Sequence, residues 1–189
     1  MKNYWNRNKK NIMKILNERK RQIFLSLLII FIIIIFDRLT KYIAVKYLKG
    51  NDPISFLKNI FVLIYAENSG AFLSLGSNLN IYIKYVIIFI IPTIIYIFGL
   101  LYLMIIEKKY YRIIIFSFII GGGIGNSIDR LLINNFIVID FMNFGIGNIR
   151  TGILNLADLS VTFGVIIWII MEIKQIHIIG NEQRVKHEK

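Results

Sequence analysis

The chain has no cysteine in its 189 residues, which excludes disulfides, thiolate nucleophiles and cysteine-ligated zinc, iron or haem. It has only two histidines, His177 and His187, and both lie in the C-terminal tail. A histidine triad or a two-histidine metal site inside the body of the protein is therefore excluded as well. Acidic residues are scarce too: 11 against 23 lysines and arginines, a net charge of +12. Whatever chemistry occurs falls to carboxylates, hydroxyls, lysines or backbone groups.

Apolar residues dominate what is present. They make up 56% of the chain, with a mean hydropathy of +0.63, above the usual soluble range and in a length that suits one domain. Isoleucine alone fills about a quarter of the positions, so the placement of charges carries more information than the apolar runs. Those runs predict four membrane-spanning helices, at about 22–46, 83–106, 112–133 and 152–172, each near the 20 residues a bilayer requires. Pro92 is expected to kink the second, which a membrane helix tolerates.

The basic residues gather at the edges of the apolar runs: residues 2–21, Lys108, Lys109 and Arg112 between spans two and three, and Lys174 to Lys189 at the end. They are not interleaved with aromatics on a polar domain, so anionic lipid headgroups and topology signals explain them better than nucleic acid does. With an even number of spans, the positive-inside rule puts both termini in the cytoplasm and the linkers 47–82 and 134–151 outside. Residues 1–21 then form a basic arm, 22–172 a membrane domain and 173–189 a cytoplasmic tail. The first span runs straight into Asp37-Arg38-Leu39-Thr40-Lys41 without a small-residue cleavage pattern, so it reads as an uncleaved anchor. The outer linker mixes β-branched and aromatic residues and ends in an Asn-Ser-Gly turn, predicting a small β-element on the outer membrane surface.

At about 1.5 Å of rise per residue, Asp37, Asp129 and Asp158 all come out roughly 21 to 25 Å above the basic inner boundary. Asp140 lies eleven residues after Asp129, in the linker between the last two spans, and can fold back to the same level. A charge in hydrocarbon is costly and is usually paired. Arg38 and Lys41 are available to Asp37, and Arg130 to Asp129. Asp140 and Asp158 have no basic residue within one helical turn. Two such carboxylates in a poorly solvated pocket share a proton, leaving one as base and one as acid, the arrangement of an aspartic protease. On these residues alone, a cation or proton transporter using Asp129, Asp140 and Asp158 is an equal reading.

Five stretches separate the two readings: "DRLTK" from 37, "NSGAF" from 68, "GNSIDR" from 125, "VIDF" from 138 and "LNLAD" from 154. In order and spacing, across about 22–172, the chain resembles the lipoprotein signal peptidases, or signal peptidase II, four-helix membrane aspartic proteases of bacteria. The resemblance implies an all-α membrane fold and Asp140 and Asp158 as the catalytic pair. It also implies supporting roles for Asn126, Asp129, Arg130, Asn155, Ala157, Asn68, Gly70, Ala71, Asp37 and Lys41, with Arg130 placing backbone or substrate carbonyls. It further implies a lipid-modified prolipoprotein substrate cut just before the modified cysteine, no metal or other cofactor, phospholipid surroundings in the bacterial cytoplasmic membrane, and a monomer with its active site outside. Leu154 stands where the family commonly has phenylalanine, and "NSGAFL" where it often has N-x-G-A-A-F, changes that bear on pocket shape.

Two other motifs have simpler readings. "GGGIG" from 121 lacks the lysine and hydroxyl of a phosphate loop and lies within a span, so it predicts close helix packing. Ser127 or Ser160 with Lys41 as base would make a serine–lysine protease, but Lys41 is more simply the partner of Asp37.

Overall fold

The computed structural model describes the backbone of residues 2–187 and, apart from Asn134, the side chains of residues 13–178. Its first helix, α1, runs over Lys2–Leu48, and strands β1 (Ile54–Phe56) and β2 (Phe61–Asn68) follow. Helix α2 covers Ile81–Ile105 and α3 covers Tyr110–Leu132. Strands β3 (Val138–Ile146) and β4 (Ile149–Arg150) lead to α4 (Leu156–His187). Within these, Met13–Leu48, Ile81–Ile105, Tyr110–Leu132 and Leu156–Ile178 are long and apolar enough to cross a membrane. Outward-facing residues such as Phe31, Ile95, Phe98 and Phe163 stay exposed, as side chains that meet lipid rather than water do.

Three boundaries differ from the expectations. The first helix starts well before residue 22 and continues through the basic arm without a break. Arg19 there donates to the carbonyls of Leu103, at 3.0 Å, and Glu107, and Gln22 donates to that of Lys108 at 2.7 Å. The arm thus caps the C-terminal end of α2, where orphan carbonyls attract cations. In α2, the residues before Pro92 form a π-helical stretch over Tyr85–Ile90; the wider turn accommodates a ring that has no N–H and crowds the carbonyl four residues back. Residues 152–155 are extended, and α4 begins only at Leu156.

The β-element is larger than expected, because the linker at 134–151 joins it. All four strands form one antiparallel sheet in the order β1-β2-β3-β4. Ala66 faces Asp140 in the β2–β3 register, so Asp140 sits within a strand and not on a free tether. Leu154 bridges Met142, its carbonyl accepting from the N–H groups of Phe141 and Met142 at 2.9 and 2.8 Å, so the strand carrying Asp140 is stitched to the chain entering α4. Ala44 and Leu48 of α1 pack on Phe141 and Met142 beneath the sheet.

The glycine run packs helices, as expected. A Cβ on Gly121 would press on Ile30 and Ile33 of α1, one on Gly122 on the carbonyl of Ala157 in α4, and one on Gly123 on the ring of Tyr96 in α2. Three consecutive residues thus let three neighbouring helices approach α3 closely. Ile30, Leu103, Ile113 and Ile120 close the core nearby.

Candidate active site

The N-terminus of α4 is a capping box. Asn155 is the N-cap: its Oδ1 accepts from the Asp158 N–H at 2.9 Å, while Asp158 Oδ2 accepts from the Asn155 N–H at 3.2 Å. The reciprocal pair satisfies orphan donors of the first turn, and the helix dipole favours a negative charge there. Asn-x-x-Asp spacing therefore fixes the Asp158 carboxylate by local geometry alone.

Asn155 also reaches the other carboxylate. Its Nδ2 donates to Asp140 Oδ1 at 2.6 Å, and Asn68 Nδ2 donates to Asp140 Oδ2 at 3.0 Å. Asn126 completes the link: Nδ2 donates to Asp158 Oδ1 at 2.8 Å, while Oδ1 accepts from Asn155 at 3.0 Å and Lys41 at 2.9 Å. Amides thus hold both carboxylates, and among the described residues neither makes an ion pair. Asp140 is 2% exposed. Burial first, and then the charge of Asp158, push its carboxyl up to about 7, against the pull of Asn68 and Asn155.

Beneath the pair lies a four-charge cluster in which Asp37, Lys41 and Asp129 are buried and Arg38 is partly exposed. Asp37 Oδ2 accepts from Arg38 at 2.8 Å and Lys41 at 2.9 Å; Asp129 pairs with the same Arg38 and, at 2.7 Å, with Lys41. The expected Asp129–Arg130 pair does not form. Arg130 turns instead to the carbonyls of Gly70 at 2.9 Å and Asn126 at 3.2 Å, because α1 brings Asp129 two cations that are already oriented. The two carboxylates also hold backbone: Asp37 Oδ1 accepts from the Ala157 N–H at 3.1 Å, and Asp129 Oδ2, besides Lys41, from the Ile139 N–H at 3.3 Å. Each of these residues directly precedes one member of the pair.

Asn68, Gly70 and Ala71, at and after the end of β2, close the site. Asn68 Oδ1 accepts from the Gly70 N–H at 2.9 Å, and its Nδ2 also donates to the Ala71 carbonyl at 3.2 Å. A side chain at Gly70 would strike the backbone of Ser74 and Leu75. The serine–lysine reading fails on geometry: Ser127 donates to the Gly123 carbonyl, Ser160 to that of Phe118, and Lys41 is held by Asp37, Asp129 and Asn126.

A cavity of about 230 Å³ opens beside Asp158, Asn126 and Arg130, with Ala71, Ile88, Pro92, Tyr96, Gly123 and Val161 in its walls. A larger groove of about 520 Å³ between α1, α3 and α4 is lined by Ile29, Ile33, Phe36, Phe118 and Phe163 and holds no titratable group, whereas the smaller one has Asp158 and Arg130. Sequence reading had missed Tyr96; one tyrosine among ten, inside an apolar run, gives no signal.

Residues 29–174 match the family described as Signal peptidase (SPase) II. The chain is 36% identical to a lipoprotein signal peptidase of Borrelia hermsii over 153 residues, covering 78% of this chain and 89% of that one. It is also 36% identical to one of Borreliella afzelii over 158 residues, covering 82% and 92%. Among solved structures, a bacterial membrane enzyme determined by the in meso method at 2.3 Å resolution superposes with a TM-score of 0.68 and 32% identity, over 79% of this chain and 88% of that one. A second, at 1.9 Å, gives a TM-score of 0.64 at 27% identity, covering 79% and 93%. With the matched residues running from α1 into α4 and taking in both carboxylates, the chain belongs to the signal peptidase II family.

Proposed function

We propose that this chain is an aspartic endopeptidase that removes the signal peptide from lipid-modified prolipoproteins, cutting just before the modified cysteine, with Asp140 and Asp158 as its catalytic pair. The observation that carries the reading is Asn155: one side chain caps the helix of Asp158, which lines a cavity, and donates to Asp140, so two carboxylates from different elements are tied together. Family membership supplies the substrate.

In the mechanism, the pair holds one proton. Asp140, pushed up to about 7, keeps it near neutral pH, and ionised Asp158, favoured by its helix N-terminus, acts as base. Asp158 takes a proton from water as the oxygen attacks the peptide carbonyl carbon, and Asp140 hydrogen-bonds the carbonyl oxygen. Collapse of the tetrahedral oxyanion breaks the C–N bond, and the proton held by Asp158 passes to the leaving amine. Arg130 braces the Gly70 carbonyl, and Lys41 orients Asn126. The reaction as drawn uses no cofactor.

The N-terminus and the C-terminal tail are assigned to the cytoplasm, and the pair to the outer side of a bacterial cytoplasmic membrane, in a monomer surrounded by phospholipid. A substrate anchored by its lipid and its own signal helix presents the cut there. Transport has no comparable support: the matching family and the similar relatives are signal peptidases.

The test is cleavage of a synthetic diacylglyceryl prolipoprotein peptide in detergent by wild type, Asp140→Asn and Asp158→Asn, with and without chelator. Wild-type cleavage that survives the chelator and is lost in both variants is expected. A folded wild type that does not cleave would overturn the reading.

A further inference from the structure

Tyr96 lies one helical turn beyond Pro92 on α2, and the end of its ring sits over Gly123, in the space a Cβ there would fill. Gly123, Asn126 and Arg130 are spaced by three and four residues, so they share one face of α3. The phenol therefore reaches the polar face of the cavity that Asp158 lines. On its other side the ring borders a second, apolar cavity of about 190 Å³ with Phe89, Ile97, Leu100 and Ile128. One side chain is thus the partition between a polar chamber and an apolar one.

Tyr96 is half-buried, and a tyrosine so placed normally finds its hydroxyl a partner. Among the described residues, that of Tyr96 has no hydrogen-bond partner, while it lies within electrostatic reach of Arg130 and Asp158. The polar groups around it have other partners: Asn126 binds Lys41, Asn155 and Asp158, and Arg130 binds Gly70 and Asn126 through its terminal nitrogens, leaving the charged Nε–H without one. The cavity is otherwise supplied with acceptors and charged donors, and this is its one uncommitted neutral donor among the described residues. Extended peptide backbone offers the complementary group, a carbonyl oxygen.

We propose that Tyr96 is a substrate-contacting residue whose hydroxyl donates a hydrogen bond to a backbone carbonyl of the bound prolipoprotein segment, away from the bond being cut. The proposal rests on the peptidase reading above for the identity of the substrate. Because the contact is made in ground state and transition state alike, losing it weakens binding without slowing the chemical step. One neutral hydrogen bond corresponds to about a tenfold change in affinity.

Tyr96→Phe keeps the ring over Gly123 and removes only the donor. With the diacylglyceryl prolipoprotein peptide in detergent, it is expected to raise KM about tenfold with kcat within about twofold of wild type. Gly123→Ala displaces the ring with the hydroxyl intact and should raise KM as well. In an Asp158→Asn background, which binds without cutting, adding Tyr96→Phe should weaken peptide binding by the same factor. Unchanged KM and unchanged binding overturn the proposal. Wild-type cleavage together with an inert Asp158→Asn shows that such a failure belongs to Tyr96 alone; if the folded wild type does not cleave, the peptidase reading falls and this proposal with it.

Discussion

Asp129 accepts the backbone N–H of Ile139 at 3.3 Å, one residue before Asp140. Asp37 does the same for Ala157 at 3.1 Å, one residue before Asp158. The buried ion cluster is therefore a jig for the two strand and helix starts that bear the pair, and its cost in desolvation is set against placement of the site.

Asp129→Asn should disturb both stability and placement. It leaves Arg38 and Lys41 sharing only Asp37, and removing one partner of a buried charge pair typically costs about 3 to 5 kcal/mol. Thermal unfolding in detergent should show a markedly lower midpoint, and cleavage should fall in the folded fraction. Normal stability with lost cleavage would place Asp129 in the chemistry itself.

Asn155 separates two roles by substitution. Asn155→Ser retains a cap oxygen for the Asp158 N–H but has no amide to donate to Asp140, so stability should stay near wild type while kcat falls tenfold or more. Asn155→Ala should lose the cap as well, at about 1 kcal/mol. Equal activity of Asn155→Ser and wild type would show that the bond to Asp140 is dispensable.

The pH profile follows from the sign of the shift. The Asp140 carboxyl is raised, so it is protonated below about 7 and loses its proton as pH climbs through that value. Activity that needs one proton on the pair should be highest on the acid side of this point and decline about tenfold per pH unit above it. A log kcat plot that stays flat to pH 9 would mean that Asp140 is not the group holding the proton.

Gly122→Ala should be costly although both residues suit a membrane helix. The added methyl would overlap the Ala157 carbonyl and the Val161 side chain, and such overpacking costs about 1 to 3 kcal/mol. Because Ala157 precedes Asp158, both folded yield and kcat should drop, measurable by size-exclusion yield and peptide cleavage. Wild-type behaviour would mean that α3 and α4 tolerate separation.

The helices were legible because long apolar runs have few alternatives, and the carboxylates because each one in hydrocarbon demands a reason. Strand β3 was not legible: Val138 to Met142 are all buried, so the alternation that marks a strand is absent and the segment reads as a connector. The partner of Asp129 was misread because sequence adjacency favours Arg130, whereas the cations that engage it come from α1, 91 and 88 residues away. The capping box at Asn155 was written in the sequence as Asn-x-x-Asp, but a motif that serves both a helix start and a catalytic carboxylate shows only the second once the family is in view. Tyr96 gave no signal at all, since its role depends on the missing side chain of Gly123 on another helix.

The pair is completed by α4, which follows the other three spans in the chain. Asn155 and Asp158 sit at the head of α4, and the ledge that receives them is made by Asp37 from α1 and Gly122 and Asn126 from α3. A growing chain with three helices in place has the scaffold and Asp140 but no capping amide and no second carboxylate. On the proposed reading, hydrolytic competence therefore waits on a single event, the seating of α4 on that ledge.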